Sequence, residues 1–165
     1  MTPPAAPDAP RATPAAPVST PTPAGPAPAG PTPTPTPAGP TPATPLGVGL
    51  DAVDVERFRR VVARRPGLVE RVFTAGERAD LAGRADPVPG LAARFAAKEA
   101  AMKALGVGLG AVDLAELEVR REPTGAPRLL LTGRAASRAA ALGVAALELS
   151  LTHTDQLAAA VVLAR

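Results

Sequence analysis

Arg94-Phe95-Ala96-Ala97-Lys98-Glu99-Ala100-Ala101-Met102-Lys103-Ala104-Leu105-Gly106 is the stretch around which the rest of the chain can be ordered. Ala, Leu, Met, Lys and Glu favour helix and Gly106 stops one, so Leu91–Leu105 is expected to form a single helix. Of the 18 basic residues in the chain, only Lys98 and Lys103 are lysine. Arg and Lys serve equally well as surface charge. A segment that keeps lysine in an arginine-biased chain therefore calls for a compact ammonium, as at a phosphate. Glu99 and Lys103 stand four apart and share a helix face. They are either an ordinary helix ion pair, worth about 0.2–0.5 kcal/mol, or part of a site.

Toward the N-terminus, Leu46, Val48 and Leu50 alternate with Gly47 and Gly49, which predicts a short strand with Asp51 at its end. Asp51 has two readings: N-cap of the segment that follows, or a metal ligand meeting Glu99 from across the fold. Two carboxylates with phosphate oxygens and waters suit Mg²⁺, which resists full protein cages. Val55, Phe58, Val61 and Val62 recur at helical spacing until Pro66-Gly67. Arg57, Arg60 and Arg64 make a basic stripe beside them, either a solvated face or a docking surface for an acidic helical partner. Thr74 and Glu77 form a capping box that should open a helix running to about Arg84, and Pro87 and Pro89 punctuate a loop.

Toward the C-terminus the period changes to two. Leu114–Val119 is expected as a strand, Thr124–Pro127 as a turn and Leu129–Leu131 as the returning strand. Arg134–Leu142 should be a short helix ended by Gly143. Leu147, Leu149 and Leu151 alternate with polar residues, and Leu157–Leu163 is apolar enough for burial on both faces. The one histidine, His153, lies in Ser150-Leu151-Thr152-His153-Thr154. It is either structural or, at a strand end, placed to reach a phosphate or nucleotide edge or to act as a base. Gly106-Val107-Gly108-Leu109-Gly110 follows a helix and lacks the Lys-Ser/Thr of a P-loop, which makes it a helix cap and turn. Helices early and strands late give an α+β class with an antiparallel sheet.

Residues 1–45 are a different kind of sequence: 37 of them are Pro, Ala or Thr. They carry too little apolar surface to offset the roughly 1–2 kcal/mol per residue that ordering a backbone costs, and are expected to be a disordered tail. Removing those 45 from 165 residues leaves 120, residues 46–165, enough for one modest core. With no Cys, disulfide frameworks, thiolate zinc sites and cysteine nucleophiles are excluded. No apolar run of about 18 residues occurs and no signal-peptide pattern opens the chain, so a cytoplasmic protein without a membrane span is expected. The pI is near 10.5, but three Phe and no Trp or Tyr leave little for stacking on bases. The basicity points to a phosphate-bearing ligand or an acidic protein more than to nucleic acid.

Taken in order, five segments resemble the holo-acyl-carrier-protein synthase family, the small trimeric class of 4′-phosphopantetheinyl transferases. They are Gly47-Val48-Gly49-Leu50-Asp51, Phe73-Thr74 with Glu77, Arg94–Gly106, Gly125-Ala126-Pro127, and Ser150–Thr154. Their order and spacing cover essentially all of residues 46–165. The resemblance implies transfer of the 4′-phosphopantetheine arm of coenzyme A to a serine of an acyl carrier protein, of fatty-acid biosynthesis or of polyketide synthesis, releasing adenosine 3′,5′-bisphosphate. It implies Mg²⁺ held by Asp51 and Glu99, with Lys103 near the pyrophosphate as a third catalytic residue. Arg94, Lys98 and His153 would lie around the nucleotide and its phosphates. Arg57, Arg60 and Arg64 would fall on the helix that docks the acidic carrier. A homotrimer with active sites between subunits is implied as well. Glu99, Asp51 acting through a bound water, or water alone all stand as the base for the carrier serine. The rival reading is a non-catalytic module binding coenzyme A or a carrier on the same fold.

Overall fold

The computed structural model describes residues 46–165; the expected tail, residues 1–45, lies outside them. The α+β expectation holds. Strand β1 (Gly47–Asp54) leads directly into helix α1 (Val55–Arg64), followed by the short helices α2 (Leu68–Val72) and α3 (Ala75–Ala79). The long helix α4 (Val88–Ala104) comes next, then a 3-10 turn at Leu114–Glu116 and a hairpin of β2 (Leu117–Arg121) and β3 (Pro127–Leu131). Helix α5 (Gly133–Ala141) precedes β4 (Leu147–His153) and β5 (Leu157–Ala164). One sheet runs β1-β5-β4, antiparallel throughout, and β2-β3 stands apart as a two-stranded sheet.

Register decides which side chains meet α4. The buried β5 residues Ala158, Ala160, Val162 and Ala164 pair on β1 with Val53, Asp51, Gly49 and Gly47. On β4 they pair with His153, Leu151, Leu149 and Leu147. Directly opposed residues share a face of the sheet, so Asp51 looks toward α4. The helix offers a matching surface of small residues: Ala93, Ala96, Ala97, Ala100, Ala101 and Ala104 are all buried. At Gly49 the approach is closest, for a Cβ built there would lie 1.8 Å from the Ala100 carbonyl oxygen.

Several boundaries differ from the sequence reading, each for a local reason. β1 continues past Asp51 to Asp54, and Asp54 is the N-cap of α1, its Oδ1 accepting from the Arg57 amide at 2.6 Å. The N-cap reading of Asp51 is therefore wrong. Gly67, at φ +79°, starts α2, a five-residue helix the periodicity did not reveal. Thr74 and Glu77 do form a reciprocal capping box, but α3 ends at Ala79 and only turns continue to Arg84. Pro89 sits inside the first turn of α4, where no backbone N–H is needed, so that helix begins at Val88. Asp113 and Glu116 make a second capping box, which turns Leu114–Glu116 into 3-10 helix and delays β2 to Leu117.

The expected two-sided burial of β5 holds on one face only. On the other, Val161 and Leu157 are exposed beside Val48 and Leu50, the last two each 65% exposed.

Candidate active site

Asp51 and Glu99 reach one cleft from opposite directions, β1 and the middle of α4. It has a volume of about 720 Å³ and is also lined by Arg57, Phe95, Leu68 and Leu109. One helical turn further on, Lys103 Nζ donates to Asp51 Oδ1 at 2.9 Å and to the Leu50 carbonyl at 2.8 Å. An ammonium has three donors, so one is left for a ligand. Lys103 thus pairs across the fold with Asp51, in place of a helix pair with Glu99.

Glu99 accepts no hydrogen bond among the described residues. Burial, and then the neighbouring Asp51 charge, push its carboxyl above the usual range, with Lys103 pulling the other way. A carboxylate in this position is short of positive charge. Two acidic groups aimed into one cleft, one without a partner, fit a hard divalent cation that keeps waters and substrate oxygens. Among the described residues no cluster of three or more acidic or histidine side chains competes with this pair for a metal.

The raised pKa has a thermodynamic consequence. Folding lets Glu99 hold its proton to higher pH than in the unfolded chain. Its contribution is full below the unfolded pKa and is lost as pH rises through the folded one. The metal-free melting temperature should therefore carry a downward component as pH rises across that interval, and Glu99→Gln should remove it. The same pH profile in the variant would show that Glu99 is not its source.

Lys98 is elsewhere. It stands five positions before Lys103, about 140° around a helix, and it points away from the Asp51 cleft into the protein. Lys98 and Glu77 are both wholly buried. Its Nζ donates to Glu77 Oε2 at 2.8 Å, the Leu114 carbonyl at 2.9 Å and the Leu117 carbonyl at 2.8 Å, which uses all three hydrogens. The expected contact with coenzyme A phosphates is corrected on this ground: no donor is free and no surface is exposed. Burial pulls the Lys98 ammonium below the ordinary lysine range against the opposing Glu77 charge. Glu77 also accepts from the Thr74 and Val119 amides. Its capping box was legible, but its role as a buried hub was not.

Arg94 and His153 do not join the Asp51 cleft within one chain. Arg94 lies on the Lys98 side of α4 and bonds Asp80 Oδ2 at 3.0 Å. With Arg120, Arg121 and the Gly125–Pro127 turn it lines a smaller cleft of about 170 Å³. Its Nε is buried without a partner. His153 ends β4 in solvent, in register with Ala158 and, across β5, with Val53.

The arginines of α1 divide. Arg59 bonds both oxygens of Asp86, at 3.2 and 2.7 Å, and also Glu56, tying α1 to the loop before α4. Arg57, Arg60 and Arg64 are exposed and pair with no acidic side chain among the described residues.

The chain is similar to known proteins of one family. The family model of the 4′-phosphopantetheinyl transferase superfamily matches residues 47–162. A holo-[acyl-carrier-protein] synthase of Moorella thermoacetica is 47% identical over 118 residues, covering 72% of this chain and 92% of that protein. The crystal structure of the Neisseria meningitidis holo-[acyl-carrier-protein] synthase superposes with a TM-score of 0.68 at 28% identity, over 74% of this chain and 99% of that one. The Chronobacterium ammoniagenes synthase in complex with coenzyme A gives 0.63 at 31% identity, over 72% and 96%.

Proposed function

The chain belongs to the holo-[acyl-carrier-protein] synthases of the 4′-phosphopantetheinyl transferase superfamily, and from that premise we propose how its residues divide the reaction. The observation that carries the reading is the convergence of Asp51 and Glu99 on one cleft, with Lys103 bonded to Asp51. The substrates are coenzyme A and an apo acyl carrier protein. The carrier serine oxygen attacks the phosphorus bearing the pantetheine arm. A new P–O bond forms there, and the pyrophosphate bridge to adenosine 3′,5′-bisphosphate breaks. Asp51 and Glu99 would hold Mg²⁺, which when bound neutralises charge on the pyrophosphate.

Lys103 fixes Asp51 and turns its remaining donor toward the phosphate oxygens. The serine proton passes to a base at the carboxylate pair: Glu99, Asp51 through a bound water, or water itself. Arg94 and His153 are assigned to the nucleotide end of coenzyme A. Lys98 is not.

Arg57, Arg60 and Arg64 form the dock for the acidic carrier, and Arg57 places that dock at the lip of the cleft. Arg57→Glu should raise the KM for the carrier several-fold and flatten its dependence on salt, with the KM for coenzyme A unchanged. An unaltered carrier KM would return Arg57 to the solvated surface. The exposed apolar face of Val48, Leu50, Leu157 and Val161 supports self-assembly, which we assign as a homotrimer. No described helix is long and apolar enough to cross a membrane, and we place the enzyme in the cytoplasm.

The direct test is to incubate the protein with coenzyme A, Mg²⁺ and an apo carrier and follow adenosine 3′,5′-bisphosphate chromatographically. Its release should require the carrier. No release would favour a non-catalytic module on this fold.

A further inference from the structure

The buried Lys98–Glu77 pair lies on the opposite side of α4 from Gly49, and Lys98 immediately precedes Glu99. Its contacts come from two stretches of chain, residues 73–77 and 114–119. Lys98 Nζ takes Glu77 of α3, the Leu114 carbonyl in the 3-10 turn and the Leu117 carbonyl at the start of β2. Glu77 takes the Thr74 amide through Oε2 and the Val119 amide of β2 through Oε1. The Phe73 ring closes the hub, its centroid 5.5 Å from Nζ. Every donor of the ammonium is used, and the carboxylate is engaged at both oxygens. A pair satisfied in this way permits one rotation of α4 about its axis, because a turn of the helix would break three bonds to a buried charge.

On the other side, Gly49 presses its backbone against Ala100. α4 is thus fixed between the hub and β1, with Glu99 on the segment between the two. That placement matters because Asp51 and Glu99 share a charge sign. Before a cation binds they repel, and a freely adjustable helix would relax by turning Glu99 out of the cleft.

We propose that Lys98 and Glu77 are positioning residues: their buried pair sets the rotation of α4 that holds Glu99 against Asp51, prearranging the two carboxylates for the divalent cation. The inference rests on the metal reading above and adds to it two residues that touch neither substrate nor metal. A pair that merely stabilised the fold would leave the affinity of the folded protein for the metal unchanged. A positioning pair would not.

The test is calorimetric titration of Mg²⁺ into the full chain saturated with coenzyme A, with folding followed by circular dichroism. Glu77→Gln keeps one acceptor oxygen, for the Val119 amide, and sets its NH₂ against the Lys98 ammonium and the Thr74 amide, so Lys98 loses its partner on α3. Should that variant fail to fold, Glu77→Gln with Lys98→Met contains no buried charge at all and is the form expected to fold. In whichever variant folds, Mg²⁺ affinity should be at least tenfold weaker than in the unaltered chain, with an unchanged KM for the carrier. Native Mg²⁺ affinity in a folded variant, with only the melting temperature lowered, would overturn the proposal. Absence of Mg²⁺ uptake by the unaltered chain would instead overturn the metal reading beneath it.

Discussion

Glu99→Gln should lose transfer activity and gain stability at neutral pH. The two effects share one cause. Glu99 is a partly desolvated carboxylate facing Asp51, with no hydrogen bond of its own among the described residues. At neutral pH its ionised form costs folding free energy, because its pKa is raised in the folded chain. A neutral amide of the same shape removes that cost and the repulsion with Asp51. It also removes half of the charge that would hold the cation. The transfer rate should fall by roughly 10²–10³-fold or more, the range for deleting one preorganised charge-stabilising group. Differential scanning calorimetry of the metal-free protein should show a melting temperature equal to or above that of the unaltered chain. A lower melting temperature with retained turnover would mean that Glu99 is structural. Asp51→Asn should share the loss of rate. It would not be a clean stability test, since it also takes from Lys103 its partner at 2.9 Å.

Gly49→Ala should be the most damaging single methyl in the protein. The added Cβ would stand 1.8 Å from the Ala100 oxygen and 2.8 Å from both the Ala100 carbonyl carbon and the Ala104 nitrogen. All three are backbone atoms of a buried helix, so no rotamer change relieves the clash. Either α4 moves off β1 or β1 bends away from β5, and both open the distance between Asp51 and Glu99. Overpacking of this kind costs about 3 kcal/mol or more, at the upper end of what core insertions do. Gly47→Ala meets the Ala104 oxygen at 2.1 Å and should behave similarly. Gly83→Ala is the control, since nothing lies within 4 Å of its Cβ; it should stay within about 0.5 kcal/mol of the unaltered chain. Urea unfolding of the three variants measures the difference directly. Equal midpoints for Gly49→Ala and Gly83→Ala would show that the strand and helix can separate without cost.

Only part of this arrangement is legible in the chain without its structure. The Gly-Val-Gly-Leu-Asp segment was legible as a strand, but the purpose of its glycines depends on α4, about fifty residues on. The Asp51–Glu99 pairing was accessible as two carboxylates with Mg²⁺ chemistry and through family resemblance. The salt bridge from Lys103 to Asp51 was not, because at spacing four Glu99 is the obvious partner on one helix. Lys98 was misread by treating two scarce lysines as one signal. The 3.6-residue period alone separates them by about 140°, so only one of the two could face β1.

Thr74 and Glu77 were recognised as a cap, a local pattern. Burial of Glu77 against Lys98 and β2 is a long-range fact with no local signature. Asp54 and Asp51 stand three apart and either suits an N-cap, and only the pairing of β1 with β5 as far as Leu157 settles which one serves. The sheet order β1-β5-β4 is non-local in the same sense. The exposed apolar face of β5 was missed because an all-apolar strand looks the same whether its second face meets a helix or another protein.

The proposed reaction moves phosphopantetheine onto a carrier at a metal-dependent carboxylate pair. Intact-mass spectrometry of an apo acyl carrier protein, after incubation with the protein and coenzyme A, reads both the transfer and its metal dependence. With Mg²⁺ present, the carrier should gain one phosphopantetheine arm on a single serine, and with Mg²⁺ chelated it should keep its original mass. A carrier whose mass is unchanged in both cases would rule out transfer by this chain, and an equal gain in both would remove the metal from the reaction.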